Sequence, residues 1–417
     1  MLEPITGQSL TGIVLITSLA WLSSSNRRQF NTRLVLSAIA LQFVLALLFL
    51  KVTLLKDALL VLNSAVLVVE QATRAGTTMV FGFLGGGDTP FDMTKPQNSF
   101  VLAFRALPIV IVFSALSALF WHWHITQAII AGFSLVLKKT MRIGGAVGLG
   151  SASSIFVGMV ESPLIVRPYL ATMSNSELFI LMTCGMATVA GTVMGLYGAV
   201  LLPVMPEALS HIIVASLISA PAAIALALIM RPEDGPSTLE ITAGEEKRYK
   251  GAMHAITTGT QDGLQLFLSI VAMLIVFVAL VNIVNQFLGL FSVAEEALTL
   301  QAIVGFVLRP LMWSIGIPWA EVQTAGQIMA NKVVLNELVA YLQLAELDAE
   351  ALSGRSKIIL TYALCGFANF GSLGIMLGGL TSICPERSAD ILKLAPLSIW
   401  SGMLATCMTG AVVAVLV

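Results

Sequence analysis

Charge is scarce in this sequence, and it never gathers into a block of one sign. Asp, Glu, Lys and Arg make up 11% of the 417 residues, against roughly 25% in ordinary globular domains. Apolar residues make up 57%, and the formal net charge is −1. The composition excludes a basic nucleic-acid surface and an acidic tail, and it is typical of a polytopic membrane protein.

Cysteine and the common catalytic motifs are also scarce or missing. The four cysteines, Cys184, Cys365, Cys384 and Cys407, show no CxxC spacing, which argues against a disulfide framework or a zinc site. The sequence contains no GxxxxGK, GxSxG or HExxH motif. The two histidines of WHWHITQ alternate with tryptophans at the end of an apolar stretch, so we interpret them as part of an interfacial aromatic belt.

Long apolar runs dominate what is present. A helix needs about 20 apolar residues to cross a hydrocarbon layer about 30 Å thick. Eight stretches meet that requirement: 9–24, 34–55, 100–122, 177–203, 208–230, 264–290, 355–380 and 394–417. No basic region precedes the first of them, so it is predicted to be a retained span and not a signal peptide. Two more regions, 143–172 and 317–345, contain Gly, Pro and acids, and these predict re-entrant hairpins.

Basic loops indicate which side of the membrane each end occupies. Loop 23–33 holds three arginines and no acid, which predicts a cytoplasmic loop and an N-terminus outside. The same rule predicts that further basic positions lie in the cytoplasm, provided that region 143–172 enters the membrane and returns to the cytoplasmic side. The C-terminus is then predicted to lie outside. Those positions are Lys138, Lys139, Arg142, loop 231–250, Arg387 and Lys393.

The two halves of the chain echo each other on either side of the polar loop 231–250. Cys-Gly-Met-Ala at 184–187 recurs as Cys-Gly-Phe-Ala at 365–368, each after a hairpin region. Paired hairpins and Gly-interrupted spans at matching places are typical of inverted-repeat transporters, which bind their substrate where helices break near the midplane. Region 56–99 predicts an amphipathic surface helix followed by a flexible loop, without chemistry of its own.

Two acids lie deep in the predicted hairpins, Glu161 in FVGMVESPLIV and Glu337 in NKVVLNELVAY. A charged side chain at the bilayer centre costs about 2.5–3.5 kcal/mol on insertion scales, so it is tolerated mainly where it lines a cavity or pairs. The sequence leaves both readings open. The pairing alternative joins Glu161 to Arg167 and Glu337 to Lys332.

A third polar group lies in CGFANFGSLG, where Asn369 and Ser372 are three residues apart and therefore share a helix face. Gly371 and Gly374 would loosen that helix, so that carbonyls and short side chains point at one ligand. The alternative is a role in packing helices together. Thr188 takes the place of Asn369 in the first half, where it could bind a cation or its own helix backbone.

Four segments, FVGMVESPLIVRPYL, FRALPIVIVFSAL, NELVAY and CGFANFGSLG, resemble the concentrative nucleoside transporter family in the right order over nearly the whole chain. The resemblance implies an all-α inverted-repeat protein: a bacterial trimer of eight-span protomers, each with two re-entrant hairpins, two broken helices and an elevator-type transport domain. The implied parts are scaffold 1–125, transport domain 126–230, cytoplasmic linker 231–260, scaffold span 261–295 and transport domain 296–417.

The resemblance also implies a substrate site without any cofactor. Gly158, Met159, Val160 and Glu161 would lie at the first hairpin's tip and, with Val193, face the nucleobase. Glu337, Asn369 and Ser372 would bind the ribose hydroxyls, with Phe367 in contact beside them. Carboxylate and amide acceptors suit a sugar diol, since a ligand lacking a hydroxyl would leave buried groups unpaired.

This sequence departs from many relatives at two places. They read Gly-Gln-Thr-Glu at the hairpin tip, where this chain reads Gly-Met-Val-Glu, so neither a purine nor a pyrimidine preference can be carried over. Sodium-coupled relatives commonly have Asn where this chain has Ser154. The remaining implied cation ligands are Thr188 and the carbonyls of Val157 and Val189.

The shorter side chain of Ser154 weakens a sodium site. A proton needs only a carboxylate with an accessible neutral form, for which Glu161 and Glu337 are the candidates, so the sequence favours proton over sodium coupling. The expected function is secondary active nucleoside import at the bacterial inner membrane, with sodium symport as the alternative. A different class, an intramembrane hydrolase using the same two acids, would need a metal or nucleophile that the sequence does not offer.

Overall fold

The computed structural model describes residues 4–29, 31–92, 100–141, 143–159, 161–233, 249–293, 296–348 and 350–417. Helices dominate. In chain order they are α1 (Pro4–Leu22), α2 (Thr32–Lys51), α3 (Thr53–Phe81), α4 (Leu102–Arg105), α5 (Ile109–His122), α6 (Ile125–Met141), α7 (Gly145–Ser154), α8 (Glu161–Ile165), α9 (Arg167–Leu170), α10 (Asn175–Ala187), α11 (Gly191–Leu201), α12 (Ala208–Met230), α13 (Ala252–Leu288), α14 (Leu300–Ser314), α15 (Val322–Val334), α16 (Glu337–Glu346), α17 (Gly354–Leu364), α18 (Phe370–Ile383) and α19 (Ser388–Leu416).

A few short elements complete the list. Single turns of 3₁₀ helix occupy Gly82–Gly85, Trp319–Glu321 and Pro385–Arg387. Two-residue strands, β1 (Ser292–Val293) and β2 (Glu296–Ala297), pair antiparallel between α13 and α14. The prediction of a helical fold is therefore confirmed in its main feature, and the structure adds this small β-hairpin.

Six helical stretches in the described part of the chain are long and apolar enough to cross a membrane: Thr32–Lys51, Leu102–His122, Asn175–Leu201, Ala208–Met230, Ala252–Leu288 and Pro385–Leu416. They correspond to predicted spans 2 to 6 and 8. The first predicted span is a shorter apolar helix, Gly7–Leu22. The fourth and the seventh are interrupted, because α10 ends at Ala187 before α11 begins at Gly191, and α17 ends at Leu364 before α18 begins at Phe370.

The apolar helices divide by what surrounds them. α12 and α19 are buried along almost their whole length, whereas α13 is exposed along most of it, as a lipid-facing helix would be.

α13 packs closely on α5 through two glycines. A Cβ atom added at Gly263 would lie 2.8 Å from the Cα of Ile111, and one added at Gly259 would lie 2.7 Å from the Cβ of Ala118. Small residues thus let the two backbones approach.

Two helical hairpins lie in the regions predicted from sequence. Hairpin 1 (residues 145–165) consists of α7 and α8, and hairpin 2 (residues 322–346) consists of α15 and α16. In each hairpin the two arms pack against each other. The arms of hairpin 2 are joined by only Leu335 and Asn336, and the Asn336 side chain caps α16 by accepting from the Val339 N–H at 2.9 Å.

Two helices are interrupted in the following segments. The first break (residues 188–190) separates α10 from α11, with Thr188 extended at φ −117° and ψ 168°. The second break (residues 365–369) separates α17 from α18. The second break touches the last turn of α10, because a Cβ atom added at Gly366 would lie 3.0 Å from the carbonyl oxygens of both Met186 and Ala187.

The second break corrects the predicted geometry of CGFANFGSLG. Asn369 is extended, with φ −146° and ψ 168°, and it is the N-cap of α18 rather than part of a continuous helix. Its side-chain oxygen accepts from the Ser372 N–H at 2.7 Å. Asn369 and Ser372 are therefore joined by a capping bond, as short polar residues often are at helix starts.

The amphipathic helix predicted within 56–99 is α3. It buries a single stripe, Leu59, Val66, Thr73 and Thr77, as a helix lying on a surface would. Most of the predicted loop that follows, residues 83–92, is described, and its last part, 93–99, lies outside the described residues, as do Arg142 and most of the polar loop, 234–248.

Candidate functional site

A cavity of about 140 Å³ lies where both hairpin tips meet both helix breaks. Its walls come from hairpin 1 and hairpin 2, the breaks, α11, α18 and α13. The α13 wall consists of Leu266, Ser269, Ile270, Met273 and Phe277.

Every described residue that the sequence assigned to the substrate lines this cavity. These residues are Gly158, Met159, Glu161, Val193, Glu337, Phe367, Asn369 and Ser372. Val160, also predicted to face the base, lies outside the described residues. The fold thus brings together side chains that are as much as 214 positions apart in the chain (158 to 372). Their individual roles remain predictions.

Glu337 is held by two donors from other helices. The Tyr197 hydroxyl donates to Oε1 at 2.5 Å, and the Asn369 amide donates to Oε2 at 2.7 Å. Both Glu337 and Asn369 are buried. Glu337 is also the first residue of α16, where the helix dipole favours negative charge. The carboxylate is thereby fixed in position at the cavity wall.

The alternative interpretation expected Lys332 to pair with Glu337, but the ammonium group of Lys332 bonds other residues. Lys332 Nζ donates instead to the Ala363 carbonyl and to Thr406 Oγ1, both at 2.8 Å. Glu337 points at the cavity and Lys332 points into the protein. The two charges therefore serve different places.

Glu161 lies at the start of α8 and is half-buried, whereas Arg167, its proposed partner, is exposed at the start of α9. Glu161 lines both the main cavity and a smaller neighbour that also contains Asp262. Gly158, beside it, has φ +101°, and a Cβ atom there would lie 2.9 Å from both Glu161 Oε2 and Ala190 Cβ. The tip of hairpin 1 therefore requires glycine at this position.

The predicted cation ligands lie where α7 meets the first break. The Thr188 hydroxyl donates to the Ser154 carbonyl at 3.0 Å and to the Cys184 carbonyl at 2.8 Å. Ser154 Oγ donates to the Ser151 carbonyl at 2.8 Å. Thr188 thus bonds its own helix, as one alternative expected, and also ties that helix to hairpin 1.

The neighbouring backbone groups complete this region. Val189 N–H donates to Ser216 Oγ at 3.2 Å, and Val157 lines the smaller cavity. The described residues contain no group of three or more His, Cys, Asp or Glu that could hold a metal ion. The region offers a cation hydroxyl and carbonyl oxygens, which are a suitable type of ligand atom for Na⁺.

Sequence reasoning missed Tyr197 and the wall formed by α13. A usable signal for Tyr197 was its spacing, because it follows Val193 by four residues and so shares that helix face. For α13 no local signal existed. Its apolar side chains look the same whether they face lipid, a helix or a ligand.

Comparisons with known proteins agree on one family. The Na⁺ dependent nucleoside transporter C-terminus matches residues 211–414, its N-terminus matches 11–84, and the nucleoside recognition region called Gate matches 103–203.

Similar proteins match across nearly their full length or a large part of it. An uncharacterized transporter of Haemophilus influenzae is 35% identical over 97% of this chain and 96% of its own. The nucleoside permease NupC of Helicobacter pylori is 34% identical, with the same two coverages of 97% and 96%. Sodium/nucleoside cotransporter 2 of Rattus norvegicus is 32% identical over 96% of this chain and 62% of its own.

Solved structures match over the whole fold. CNTnw in an inward-facing substrate-bound state has a TM-score of 0.88 and 33% identity, covering 98% of each chain. A variant of CNTnw in an outward-facing state also has a TM-score of 0.88, with 32% identity, covering 99% of this chain and 98% of that one.

Proposed function

The chain belongs to the Na⁺ dependent nucleoside transporter family, and on that premise we propose that it imports nucleosides by cation-coupled secondary active transport. The resemblance carried by four sequence segments is thereby confirmed. The family is one of transporters and not of enzymes, so the intramembrane hydrolase is set aside.

One observation carries the substrate proposal: the anchored Glu337–Asn369 pair at the cavity wall. The Glu337 carboxylate accepts hydrogen bonds and the Asn369 amide can donate and accept, which suits the two hydroxyls of a ribose. Ser372 is joined to Asn369 by the capping hydrogen bond, and its side chain adds a hydroxyl. A free base lacks these hydroxyls and would leave the buried groups unsatisfied.

We assign the opposite end of the cavity to the base. Glu161 supplies a carboxylate there, while Met159 and Val193 are apolar. With few polar groups to read the base edge, recognition rests on Glu161 and on shape. Discrimination among bases is therefore expected to be modest.

For the movement we propose an elevator in which the hairpins and broken helices travel together past α5 and α13, within a homotrimer. Support comes from the cavity itself, since one wall belongs to the hairpins and breaks and the other to α13. The names of similar structures mention outward-facing, intermediate and inward-facing states of CNTnw. We further propose that the protein lies in the bacterial cytoplasmic membrane with both termini outside, which the basic loops support.

For the coupling cation we propose a proton, with sodium as the alternative. The Thr188 hydroxyl is occupied by two carbonyl oxygens, and Ser154 Oγ bonds its own helix. These hydroxyls donate their protons and keep their oxygen lone pairs for a sodium ion, but Ser154 reaches less far toward such an ion than an Asn side chain would. Glu161 and Glu337 offer carboxylates at the cavity instead.

The experiment that tests the function is uptake of labelled nucleosides into proteoliposomes, with sodium and proton gradients imposed separately. We expect intact nucleoside to accumulate above its external concentration under a cation gradient. Accumulation without either gradient, or recovery of free base or sugar inside, would contradict the proposal.

A further inference from the structure

A second cavity, which we call the amide cavity, lies between hairpin 2, the end of α13 and the start of α14. It has a volume of about 310 Å³, against about 140 Å³ for the cavity assigned to the nucleoside, so it has room for the same ligand. Apart from Ala302, its described lining consists of uncharged amide and hydroxyl side chains: Asn285, Thr299, Gln301, Gln327, Asn331 and Gln343. The proposed transport cycle gives this cavity no role.

The amide cavity is stacked on the main cavity. Phe277, Val281 and Asn285 are four residues apart on α13 and therefore share a helix face. Phe277 lines the main cavity, Val281 belongs to an apolar cluster, and Asn285 lines the amide cavity. Hairpin 2 repeats this order, because Leu335 lines the main cavity and belongs to the same apolar cluster, and Asn331 lines the amide cavity. A layer of apolar side chains thus separates the two cavities.

The amide cavity lies on the outer side of that layer. α13 begins after loop 231–250, which we propose to be cytoplasmic, so the end of α13 that carries Asn285 faces the outer side. With a rise of 1.5 Å per residue, Asn285 lies about 12 Å beyond Phe277 along the helix. A nucleoside that arrives from outside therefore meets the amide cavity before it meets the main cavity.

The chemistry of the lining suits an uncharged nucleoside. Asn331 Nδ2 donates to Gln343 Oε1 at 2.6 Å, and Asn285 Nδ2 donates to Gln301 Oε1 at 3.0 Å. These bonds use the oxygens of the two glutamines, and their Nε2 groups make no hydrogen bond to the described residues. Amides donate and accept, as nucleoside hydroxyls and base edges do, and Asn and Gln side chains pair with adenine in protein–DNA complexes. A phosphorylated nucleotide would find no cation among the described lining residues.

The cavity is built from two parts of the protein that the proposed movement separates. Asn285 belongs to α13, whereas Gln327, Asn331 and Gln343 belong to hairpin 2. The complete cavity therefore exists only while hairpin 2 is in this position relative to α13. A ligand that binds one conformation shifts the equilibrium toward that conformation.

We propose that the amide cavity is a second, outer nucleoside site, and that a nucleoside bound there holds hairpin 2 against α13 and slows transport. The inference rests on the nucleoside import proposed above and not on the identity of the coupling ion. Hydrogen bonds between neutral groups are weaker than those to a carboxylate such as Glu337, so this site binds more weakly than the main cavity. Uptake therefore falls when external nucleoside rises far above the KM.

The test uses Gln327→Leu and Gln343→Leu in the full-length protein, with Gln323→Leu as the matched control. Leucine has nearly the shape of glutamine but cannot form hydrogen bonds. Gln323 is exposed on α15 like Gln327, one turn earlier, and does not line the cavity. The measurement is the initial rate of labelled adenosine uptake into right-side-out membrane vesicles, from far below to far above the KM.

We expect the rate for the wild type and for Gln323→Leu to pass through a maximum and then fall. Loss of a neutral hydrogen bond weakens binding by about two- to tenfold, so the inhibitory concentration should rise by that factor in Gln327→Leu and in Gln343→Leu, with KM unchanged. A wild-type rate that stays on its plateau, or equal inhibition of all four proteins, would overturn the inference and leave import standing. A wild type without saturable nucleoside uptake would refute the import proposal itself.

A binding measurement keeps the inference testable if a variant does not transport. Calorimetry on the purified protein should resolve two adenosine sites per protomer in the wild type, one tight and one weak. The double variant Gln327→Leu with Gln343→Leu should retain only the tight site. A single site in the wild type, or an unchanged weak site in the double variant, would show that the amide cavity does not bind nucleoside.

Discussion

Removing the Tyr197 hydroxyl tests whether the anchoring of Glu337 matters for binding. In the native protein this hydroxyl donates to Glu337 Oε1 at 2.5 Å, and both groups are buried. Tyr197→Phe keeps the ring, which lies 5.1 Å from the ring of Tyr341, and removes only the donor. Oε1 is then buried without that partner.

The size of the effect follows from the kind of bond. Hydrogen bonds to charged groups contribute roughly 1.5–3 kcal/mol, and each 1.4 kcal/mol corresponds to about a tenfold change in a binding constant. If the carboxylate must be held in place to bind the ribose, Tyr197→Phe should weaken nucleoside binding by about 10- to 100-fold. Uptake KM and calorimetric Kd measure this.

A control lies next to it in the structure. The Tyr341 hydroxyl donates to the Thr361 carbonyl at 3.0 Å, so Tyr341→Phe removes a buried hydroxyl that serves the fold and not the carboxylate. We expect Tyr341→Phe to lower Tm and leave Kd nearly unchanged. If Tyr197→Phe binds nucleoside as tightly as the wild type, or the two variants weaken binding equally, the anchoring argument is wrong.

Three further predictions concern substrate, base and ion. Glu337→Gln and Asn369→Ala should each reduce uptake at least tenfold, since a hydrogen bond to a charged group contributes about 1.5–3 kcal/mol. Free uracil or adenine should compete poorly with the nucleoside for uptake. Competition by a free base that equals competition by the nucleoside would refute the ribose assignment. Met159→Gln combined with Val160→Thr should change the order of preference in competition assays, and an unchanged order would show that these positions do not face the base. Wild-type uptake should rise as external pH falls and should persist when choline replaces sodium. Ser154→Asn should introduce sodium dependence. Wild-type uptake that requires sodium and ignores a pH gradient would favour sodium as the coupling ion.

The hairpins and their acids could be predicted because they break a simple pattern. In an apolar sequence, a Gly or Pro interruption beside a deep carboxylate stands out, and hairpin 1 and hairpin 2 lie where those signals occur. Glu161 and Glu337 were found in this way. The sequence also pointed to Asn369, although not to its capping role.

What the sequence could not supply are interactions between distant segments. The exact position of the break within the predicted span 355–380 could not be read from the sequence, because Gly366 packs there against carbonyls of α10, far away in the chain. Lys332 lies five residues before Glu337, yet it bonds Ala363, 31 residues further on. Tyr197 and Glu337 are 140 residues apart. No local pattern reports such pairs.

The distribution of polar groups around the cavity bears on how a substrate could be carried. Glu337 and Asn369, the anchored polar groups, belong to the second hairpin and the second break, and Glu161 belongs to the first hairpin. The wall formed by α13 is apolar except for Ser269. Hydrogen bonds are directional and would have to be broken if their partners slid past each other, whereas apolar contact is non-directional. A nucleoside held by the hairpins and the second break could therefore move past α13 without exchanging hydrogen bonds at each step, which is the condition that an elevator movement requires.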